Sequence, residues 1–307
     1  MKLSGLWPAL VTPLRPDGEV DHEALGALVD DLASRGIDGL VPLGSTGEFT
    51  EFSPTERRAI ISTVVTAVRG RVPVLAGVSG LSTRETGHLA EEAADAGADA
   101  VLVLPPLYWK VPDDLVFQHF RAVADAVDVP LVAYDFPGLT AQPLSPALLG
   151  RLAAEEPRVL GVKLTVRDIA TITAAIAATR PHRADFAVVT GFEDLIPAAM
   201  WAGADGAISG LANVMPDELV ALVAAVAEGR PHTGDLHRHV MNAFDIYGLT
   251  APAIPGLKAV TAAVGRIPHA TSRLDAGPAE AIADSAARWL AGREIAPALT
   301  AARGAVA

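Results

Sequence analysis

One short pattern recurs along the chain and limits the folds that the chain can adopt. It is a glycine that follows a helix-like segment, and after it come one further residue, an aspartate and an uncharged apolar run. Three copies begin at Gly36, Gly97 and Gly203, which lie 61 and 106 residues apart. A glycine is typical of a helix C-terminus, and an uncharged apolar run is typical of a parallel strand buried on both faces. Each copy therefore predicts a joint at which a helix ends and a buried parallel strand begins.

The spacing of these joints predicts how many strands the chain forms. The two intervals fit two and then four strand-and-helix units of about 25 to 30 residues, so the joints lead into strands two, four and eight. The predicted strands cover residues 6–11, 40–43, 74–77, 101–104, 131–135, 160–164, 187–190 and 207–209. Ser53 with Glu56, and Ser82 with Glu85, have the spacing of a capping box and predict helix starts between the strands.

Eight such units predict an α/β fold, a (β/α)8 TIM barrel with a C-terminal helical extension. We assign residues 1–228 to the barrel and residues 229–307 to a C-terminal helical domain, because three helical patterns follow Pro231. An open doubly wound sheet is the alternative. No G-x-G-x-x-G or G-x-x-x-x-G-K-[ST] phosphate loop follows any predicted strand, which disfavours that alternative.

Composition excludes several classes of function. The chain has no cysteine, which excludes disulfides, iron–sulfur clusters, thiolate zinc sites and cysteine nucleophiles. The formal net charge is −12, which disfavours binding to a nucleic acid backbone. The first eight residues lack the apolar segment of a signal peptide, and no uncharged stretch is long enough to span a bilayer. We therefore expect a cytoplasmic protein with no nucleic acid or membrane partner.

Lys163 is the most informative polar residue at a strand end. It lies within the apolar run of residues 159–164, where strand alternation should point it into the barrel. Active sites of such barrels lie at the carboxyl ends of the strands, and desolvation there favours the neutral, nucleophilic amine of a lysine. The alternative is a lysine that pairs with a carboxylate in the barrel mouth, and the strand alone leaves both interpretations open.

Two further groups of polar residues follow other predicted strands. Ser45 and Thr46 lie in a glycine-flanked turn, whose hydroxyls and backbone N–H groups can hold a small carboxylate without an arginine. An ordinary Ser/Thr turn before a helix is the alternative. Tyr134 and Tyr108 place phenols at two strand ends, where they can relay a proton or simply pack. Together these residues predict a lysine, a carboxylate-binding turn and a proton relay on one rim.

These motifs resemble the dihydrodipicolinate synthase and N-acetylneuraminate lyase family of Schiff-base, class I aldolases. The resemblance covers roughly the whole chain. Its most specific parts are Gly44-Ser45-Thr46-Gly47-Glu48, Tyr134-x-x-Pro137 and Gly161-Val162-Lys163, in that order. The resemblance implies that Lys163 forms an imine with the ketone of pyruvate or another 2-keto acid, and that neither a metal nor another cofactor is needed.

The same resemblance implies roles for other residues. Tyr134 would be the acid/base group, and Ser45 and Thr46 would hold the substrate carboxylate. Ser45 would also link Tyr134 to Tyr108, which in the family reaches across a dimer contact into the neighbouring site. Ile208 would offer a backbone carbonyl near the keto acid. The resemblance also implies a homo-oligomer, usually a dimer of dimers.

Departures within the motifs indicate a branch of the family. Leu139 stands where the synthases of the lysine pathway carry an arginine, which disfavours lysine biosynthesis. The sialic acid lyases bind sugar hydroxyls at the positions that correspond to Thr165, Gly191, Glu193 and Asp194. For the two acidic residues, the first turn of a helix is an equal alternative.

The motifs around Tyr108 and Tyr134 look closest to bacterial 2-keto-3-deoxy sugar-acid aldolases. We therefore expect cleavage of an acid such as 2-keto-3-deoxygluconate to pyruvate and a small hydroxyaldehyde. An N-acetylneuraminate lyase, a condensation of the dihydrodipicolinate synthase type and a dehydratase of a related keto acid are alternatives. A barrel that binds a keto acid as a sensor or scaffold, without catalysis, is the alternative from another class.

Overall fold

The fold was analysed in a computed structural model, which describes residues 1–293 and residue 295. Within these residues seven strands form one sheet in the order β1-β7-β6-β5-β4-β3-β2, and every neighbouring pair is parallel. The strands are β1 (Gly5–Pro8), β2 (Leu75–Gly77), β3 (Ala100–Val103), β4 (Leu131–Asp135), β5 (Val159–Leu164), β6 (Ala187–Thr190) and β7 (Gly206–Ser209).

A short extended segment closes the sheet into a barrel. Val41 forms a parallel bridge with Ala9, just after β1, and Leu40 forms one with Val74, just before β2. The predicted strand over residues 40–43 is therefore too long. Leu43 has a φ of 56°, in the left-handed region, which ends the extended conformation before the following turn. The predicted barrel is confirmed, and the open doubly wound sheet is wrong.

Helices connect the strands and continue after the barrel. They are α1 (His22–Ala33), α2 (Pro54–Val68), α3 (Thr83–Asp95), α4 (Asp113–Ala126), α5 (Pro137–Thr140), α6 (Pro146–Glu155), α7 (Ile169–Thr179), α8 (Ile196–Trp201), α9 (Pro216–Ala227), α10 (Thr233–Met241), α11 (Ile254–Ala263) and α12 (Ala279–Leu290). Ser53 makes a complete capping box with Glu56, whereas Ser82 only accepts the backbone N–H of Glu85. None of the helices described is long and apolar enough to cross a membrane.

Strand alternation divides the apolar side chains into two layers. The inner layer fills the barrel with side chains such as Trp7, Leu102 and Val132. The outer layer packs between the strands and the surrounding helices. Active-site residues can therefore reach the interior only from inward-facing strand positions or from the loops at the rim.

The C-terminal extension is attached to the barrel by a buried ion pair. Lys258 of α11 donates from Nζ to Oε1 of Glu48 over 2.7 Å, and both side chains are fully buried. The other oxygen of Glu48, Oε2, accepts from the Ser272 hydroxyl and from the backbone N–H of Arg273. Burial lowers the pKa of Lys258, an effect that the Glu48 carboxylate opposes. The assignment of residues 229–307 to a separate domain stays a prediction, and residues 294 and 296–307 of it lie outside the described residues.

Replacing Lys258 by methionine is expected to lower the free energy of unfolding by about 3–5 kcal/mol, because Glu48 then stays buried without its counter-charge. Chemical denaturation followed by circular dichroism measures the change. The double variant Glu48→Gln, Lys258→Met serves as the control and should recover most of the loss, since it carries no buried charge at this place. A Lys258→Met variant as stable as the unaltered protein would contradict the prediction.

Candidate active site

Lys163 and Tyr134 are direct neighbours inside the barrel. Tyr134 on β4 pairs in register with Lys163 on β5, and the lysine Nζ lies 4.2 Å from the centroid of the tyrosine ring. Lys163 is only 5% exposed. The residues on either side of it, Val162 and Leu164, face the outer layer, as alternation requires. The predicted inward orientation of Lys163 is confirmed.

The surroundings of Lys163 decide between the two interpretations of its side chain. Within the described part of the chain, no carboxylate forms an ion pair with Lys163. The placement therefore favours an available amine over a structural ion pair. The role of Lys163 as the nucleophile stays a prediction.

The turn that contains Ser45 and Thr46 lies beside this pair. It is a 3-10 turn, Ser45–Gly47, at the end of the segment that closes the barrel. The hydroxyl oxygens of Ser45 and Tyr134 are 3.3 Å apart, within hydrogen-bond distance. Gly47 lets the turn pack closely, because a Cβ atom there would lie 3.1 Å from the carbonyl oxygen of Leu10. The structure therefore brings Ser45, Tyr134 and Lys163, all of which the sequence predicts for the site, to one place.

These residues line a cavity of about 440 Å³ at the carboxyl ends of the strands. Seven of the residues that sequence predicts for the site take part in its wall: Ser45, Thr46, Tyr134, Lys163, Thr165, Gly191 and Ile208. The C-terminal extension adds the following residues, which the sequence prediction missed: Tyr247, Pro252, Ala253, Ile254 and Leu274. The cavity is thus shared by the barrel and the extension.

Gly191 keeps space free for two of the other site residues. A Cβ atom at position 191 would lie 2.0 Å from Thr165 Oγ1 and 3.2 Å from Lys163 Cε. Any larger residue at this position would therefore push Thr165 or Lys163 out of place. The Oγ1 atom of Thr165 is buried and has no hydrogen-bond partner. A buried hydroxyl of this kind is available to a ligand.

The structure places Glu193 and Asp194 outside the wall of the cavity. Oε1 of Glu193 accepts hydrogen bonds from the Ser209 hydroxyl at 2.6 Å and the Tyr247 hydroxyl at 2.9 Å, and Glu193 is 1% exposed. Asp194 pairs with Arg167 at 3.0 Å. The two residues lie in a 3-10 turn that leads into α8, as the helix-start alternative expects. Their assignment as ligands for sugar hydroxyls stays a prediction that no contact with the cavity supports.

Tyr247 lines the cavity and donates a hydrogen bond to Glu193, which lies outside the cavity wall. Burial, and then the adjacent Glu193 carboxylate, raise the pKa of Tyr247 well above its usual range. Its hydroxyl therefore stays protonated and donates a hydrogen bond to the Glu193 carboxylate. No sequence signal indicates this role, because Tyr247 lies 54 residues after Glu193, in a 3-10 helix of the extension.

Tyr108 does not contact this site within one chain. Its side chain is 84% exposed and stacks edge-on against Trp109, with ring centroids 4.9 Å apart. Its φ of 75° is a conformation that costs a residue other than glycine about 1–3 kcal/mol. The implied contact between Tyr108 and a second copy of the chain stays a prediction.

Two buried titratable groups support the strand ends next to the site. Burial raises the pKa of Asp135 to about 7, although its side chain accepts the backbone N–H of Leu144. Burial lowers the pKa of His119 to about 4. The neutral ring of His119 bridges the hydroxyl of Thr83 and the carbonyl of Leu104, at 2.9 and 3.0 Å. At pH values between its shifted pKa and its usual pKa, each group is therefore uncharged, whereas an exposed side chain of the same type would be ionised.

Comparison with known proteins assigns the chain to a family. The model of the dihydrodipicolinate synthetase family matches residues 2–288. The chain belongs to this family. The resemblance drawn from the sequence motifs is thereby confirmed, and the protein is a class I, pyruvate-dependent aldolase or synthase in the broad sense that the family defines.

Individual family members differ in the reaction that their names give. YagE of Escherichia coli K12, provisionally named a 2-dehydro-3-deoxy-D-gluconate aldolase, is 36% identical over 264 residues, which cover 86% of this chain and 87% of YagE. A 4-hydroxy-tetrahydrodipicolinate synthase of Oleidesulfovibrio alaskensis is 36% identical over 229 residues, 75% of this chain and 77% of the relative. The names of these relatives therefore include both an aldolase and a synthase.

A solved structure supports the same assignment. The crystal structure of YagE in complex with pyruvate superposes with a TM-score of 0.90 at 33% identity, covering 96% of this chain and 99% of that one. Among the described residues of the present chain, no three histidine, aspartate or glutamate side chains come together as a metal-binding group. That the enzyme works without a metal or other cofactor stays a prediction.

Proposed function

We propose that this family member is a Schiff-base aldolase that cleaves a 2-keto-3-deoxy sugar acid, the class that includes 2-keto-3-deoxygluconate, to pyruvate and an aldehyde. One observation carries the proposal. The Lys163 amine lies inside a closed barrel, beside the ring of Tyr134 and without a carboxylate partner among the described residues, and the Tyr134 hydroxyl contacts Ser45. That arrangement supplies a nucleophile and a proton relay at one point of the cavity.

The proposed reaction begins with attack of the neutral Lys163 amine on C2 of the keto acid. Tyr134 donates its proton to the departing hydroxyl group, and loss of water gives a protonated imine, which accepts the electron pair when the bond between C3 and C4 breaks. Tyr134 takes the proton from the C4 hydroxyl, and the aldehyde leaves. Protonation of the enamine at C3 and hydrolysis of the imine then release pyruvate and restore the amine. The reverse sequence condenses the same two compounds.

The turn of residues 44–47 is proposed to hold the substrate carboxylate. Ser45 and Thr46 offer two hydroxyls and backbone N–H groups on the cavity wall, and Ile208 lies on the same wall. Backbone N–H groups of a turn form a concave site for an anion without a full positive charge. The carboxylate can therefore be held at this turn without an arginine side chain.

The choice of a sugar acid as substrate has separate support. YagE and a second relative from Escherichia coli, YjhH, both carry provisional names as aldolases of 2-dehydro-3-deoxy sugar acids, and YjhH is 34% identical over 265 residues. Leu139, which stands in place of the arginine of the lysine-pathway synthases, lies on the cavity wall. An apolar side chain there removes the positive charge that would pair with an amino-acid-like aldehyde.

We also propose that the enzyme acts as a homo-oligomer. Tyr108, Trp109 and Leu139 are 84%, 72% and 68% exposed, and Leu139 lies on the cavity wall. Exposed large apolar side chains next to a site favour burial against another protein surface. A second copy that covers them would bring Tyr108 to the neighbouring site.

Borohydride trapping tests the proposed function. The protein is incubated with pyruvate and sodium borohydride, and its intact mass and peptide map are measured. One reduced pyruvyl adduct on Lys163 is the expected result, and the control without pyruvate should remain unmodified. A protein that binds pyruvate but gains no adduct would be a keto-acid sensor or scaffold, and the proposal would be wrong.

A further inference from the structure

The polar groups on the cavity wall are few, and several are already committed to other residues. Both carboxylate oxygens of Glu48 are held by the C-terminal extension, and the Tyr247 hydroxyl donates to Glu193. The Thr50 hydroxyl donates to Glu51. These three side chains line the cavity, but the hydroxyl protons of Thr50 and Tyr247 and the carboxylate of Glu48 are already engaged by other residues.

The reaction end of the cavity uses most of the remaining polar groups. In the proposed function, Lys163 forms the imine, Tyr134 takes the C4 proton, and Ser45 and Thr46 hold the carboxylate. Thr165 is then the one uncommitted polar side chain among the described residues of the wall. Its Oγ1 atom lies close to Lys163, since both would touch a Cβ atom at Gly191. Thr165 can therefore contact a hydroxyl close to the reacting carbons.

Away from Lys163 the wall is apolar. Aromatic rings continue from Tyr134, with ring centroids 6.1 Å apart between Tyr134 and Phe136 and 6.2 Å apart between Phe136 and Phe192. Other apolar side chains complete this part of the wall: Phe49, Leu139, Pro252, Ala253, Ile254 and Leu274. These side chains carry no hydrogen-bonding group for a hydroxyl at the far end of a substrate.

We infer that the aldehyde released by this enzyme carries one hydroxyl next to its carbonyl carbon and an apolar end. The substrate class is then a 2-keto-3,6-dideoxy sugar acid, which yields lactaldehyde, and a sugar acid that ends in a primary alcohol is a poorer substrate. The C4 hydroxyl faces Tyr134, the C5 hydroxyl faces Thr165, and the terminal methyl group lies on the Phe136 and Phe192 wall. This inference rests on the proposed function and narrows its substrate.

The size of the expected preference for a terminal methyl group over a terminal hydroxyl group follows from the known energetics of burial. A buried hydroxyl without a partner is unfavourable, whereas a methyl group gains from burial against the rings. An apolar pocket rejects an isostere that adds a hydroxyl by at most about 100-fold. The expected preference is therefore about 10- to 100-fold in kcat/KM, and not an absolute exclusion.

A matched pair of aldehydes tests the inference. Lactaldehyde and glyceraldehyde have the same chain length and differ only in the terminal hydroxyl. With pyruvate in excess, the rate of keto-acid formation is measured for both enantiomers of each aldehyde. We expect kcat/KM for the better lactaldehyde enantiomer to exceed that for the better glyceraldehyde enantiomer by about 10- to 100-fold. Equal rates, a preference for glyceraldehyde, or no reaction with either aldehyde would overturn the inference.

Pyruvate trapping separates this failure from failure of the proposed function. Borohydride reduction with pyruvate alone needs no aldehyde, so its result does not depend on the apolar part of the cavity wall. An adduct on Lys163 together with a glyceraldehyde preference overturns only the substrate inference. No adduct overturns the proposed function and the inference together.

The variant Thr165→Val tests whether Thr165 contacts the single hydroxyl of the aldehyde, which is the C5 hydroxyl of the sugar acid. Valine keeps the shape of threonine and removes the free Oγ1 atom. The ratio of kcat/KM for lactaldehyde to that for propanal should fall about 10-fold in the variant, while the pyruvate adduct still forms. The loss of one hydrogen bond accounts for this size of effect. An unchanged ratio would show that Thr165 does not contact the hydroxyl and would overturn its assignment in the inference.

Discussion

Replacing Lys163 by methionine is expected to abolish both aldol cleavage and the pyruvate adduct. Removal of an enzyme's nucleophile costs on the order of 10⁶ in kcat where it has been measured, so we expect a loss of more than about 10⁵-fold. Methionine keeps an unbranched chain of similar length in the barrel. Pyruvate release from the keto acid, coupled to a spectrophotometric assay, measures the activity.

Thermal unfolding provides the control for this variant. Lys163 is 5% exposed and has no ion-pair partner within the described residues, so an apolar replacement removes a buried polar group that the fold does not need. The melting temperature should therefore stay the same or rise. A folded Lys163→Met protein that keeps more than a trace of cleavage activity would exclude imine chemistry at this residue.

Replacing Tyr134 by phenylalanine is expected to lower kcat by about 10²- to 10⁴-fold, the usual contribution of a positioned acid or base. The ring that packs beside Lys163 remains, and only the hydroxyl that contacts Ser45 at 3.3 Å is lost. Steady-state kinetics measure the loss. The pyruvate adduct should still form after borohydride treatment, because Lys163 is intact.

Ser45→Ala is the matched control for the Tyr134 variant. It removes the other half of the same contact and leaves the phenol in place. Its effect on kcat should be smaller than that of Tyr134→Phe if the phenol itself transfers the proton. Equal losses in the two variants would mean that the proton relay depends as much on the serine as on the tyrosine.

The sequence predicts the central pair of the site because strand geometry is local. The alternation around Lys163 depends only on residues 159–164, and the parallel register that places Tyr134 beside it follows from consecutive strands. The strand over residues 40–43 is predicted too long for a local reason as well. Leu43 adopts a positive φ, which an apolar residue in an apolar run gives no reason to expect.

Contacts between distant parts of the chain could not be predicted in this way. Lys258 reaches Glu48 across 210 positions, and Tyr247 reaches Glu193 from the extension. A single lysine in an apolar helix, or a tyrosine in a short 3-10 helix, gives no indication of its partner. The sequence consequently leaves two roles open for the acidic residues after β6, substrate binding and a helix start, and could not predict that Glu193 accepts hydrogen bonds from Ser209 and Tyr247.

The buried bond between Glu48 and Lys258 also bears on how this fold can be divided. Glu48 directly follows the turn that carries Ser45 and Thr46, so the end of that turn is anchored by a helix from beyond the barrel. A barrel expressed without the extension would leave the Glu48 carboxylate without its lysine partner, directly after the turn that is proposed to hold the keto acid. The appended helices therefore anchor the turn that is proposed to hold the substrate carboxylate, and a protein truncated after the barrel would lack this anchor.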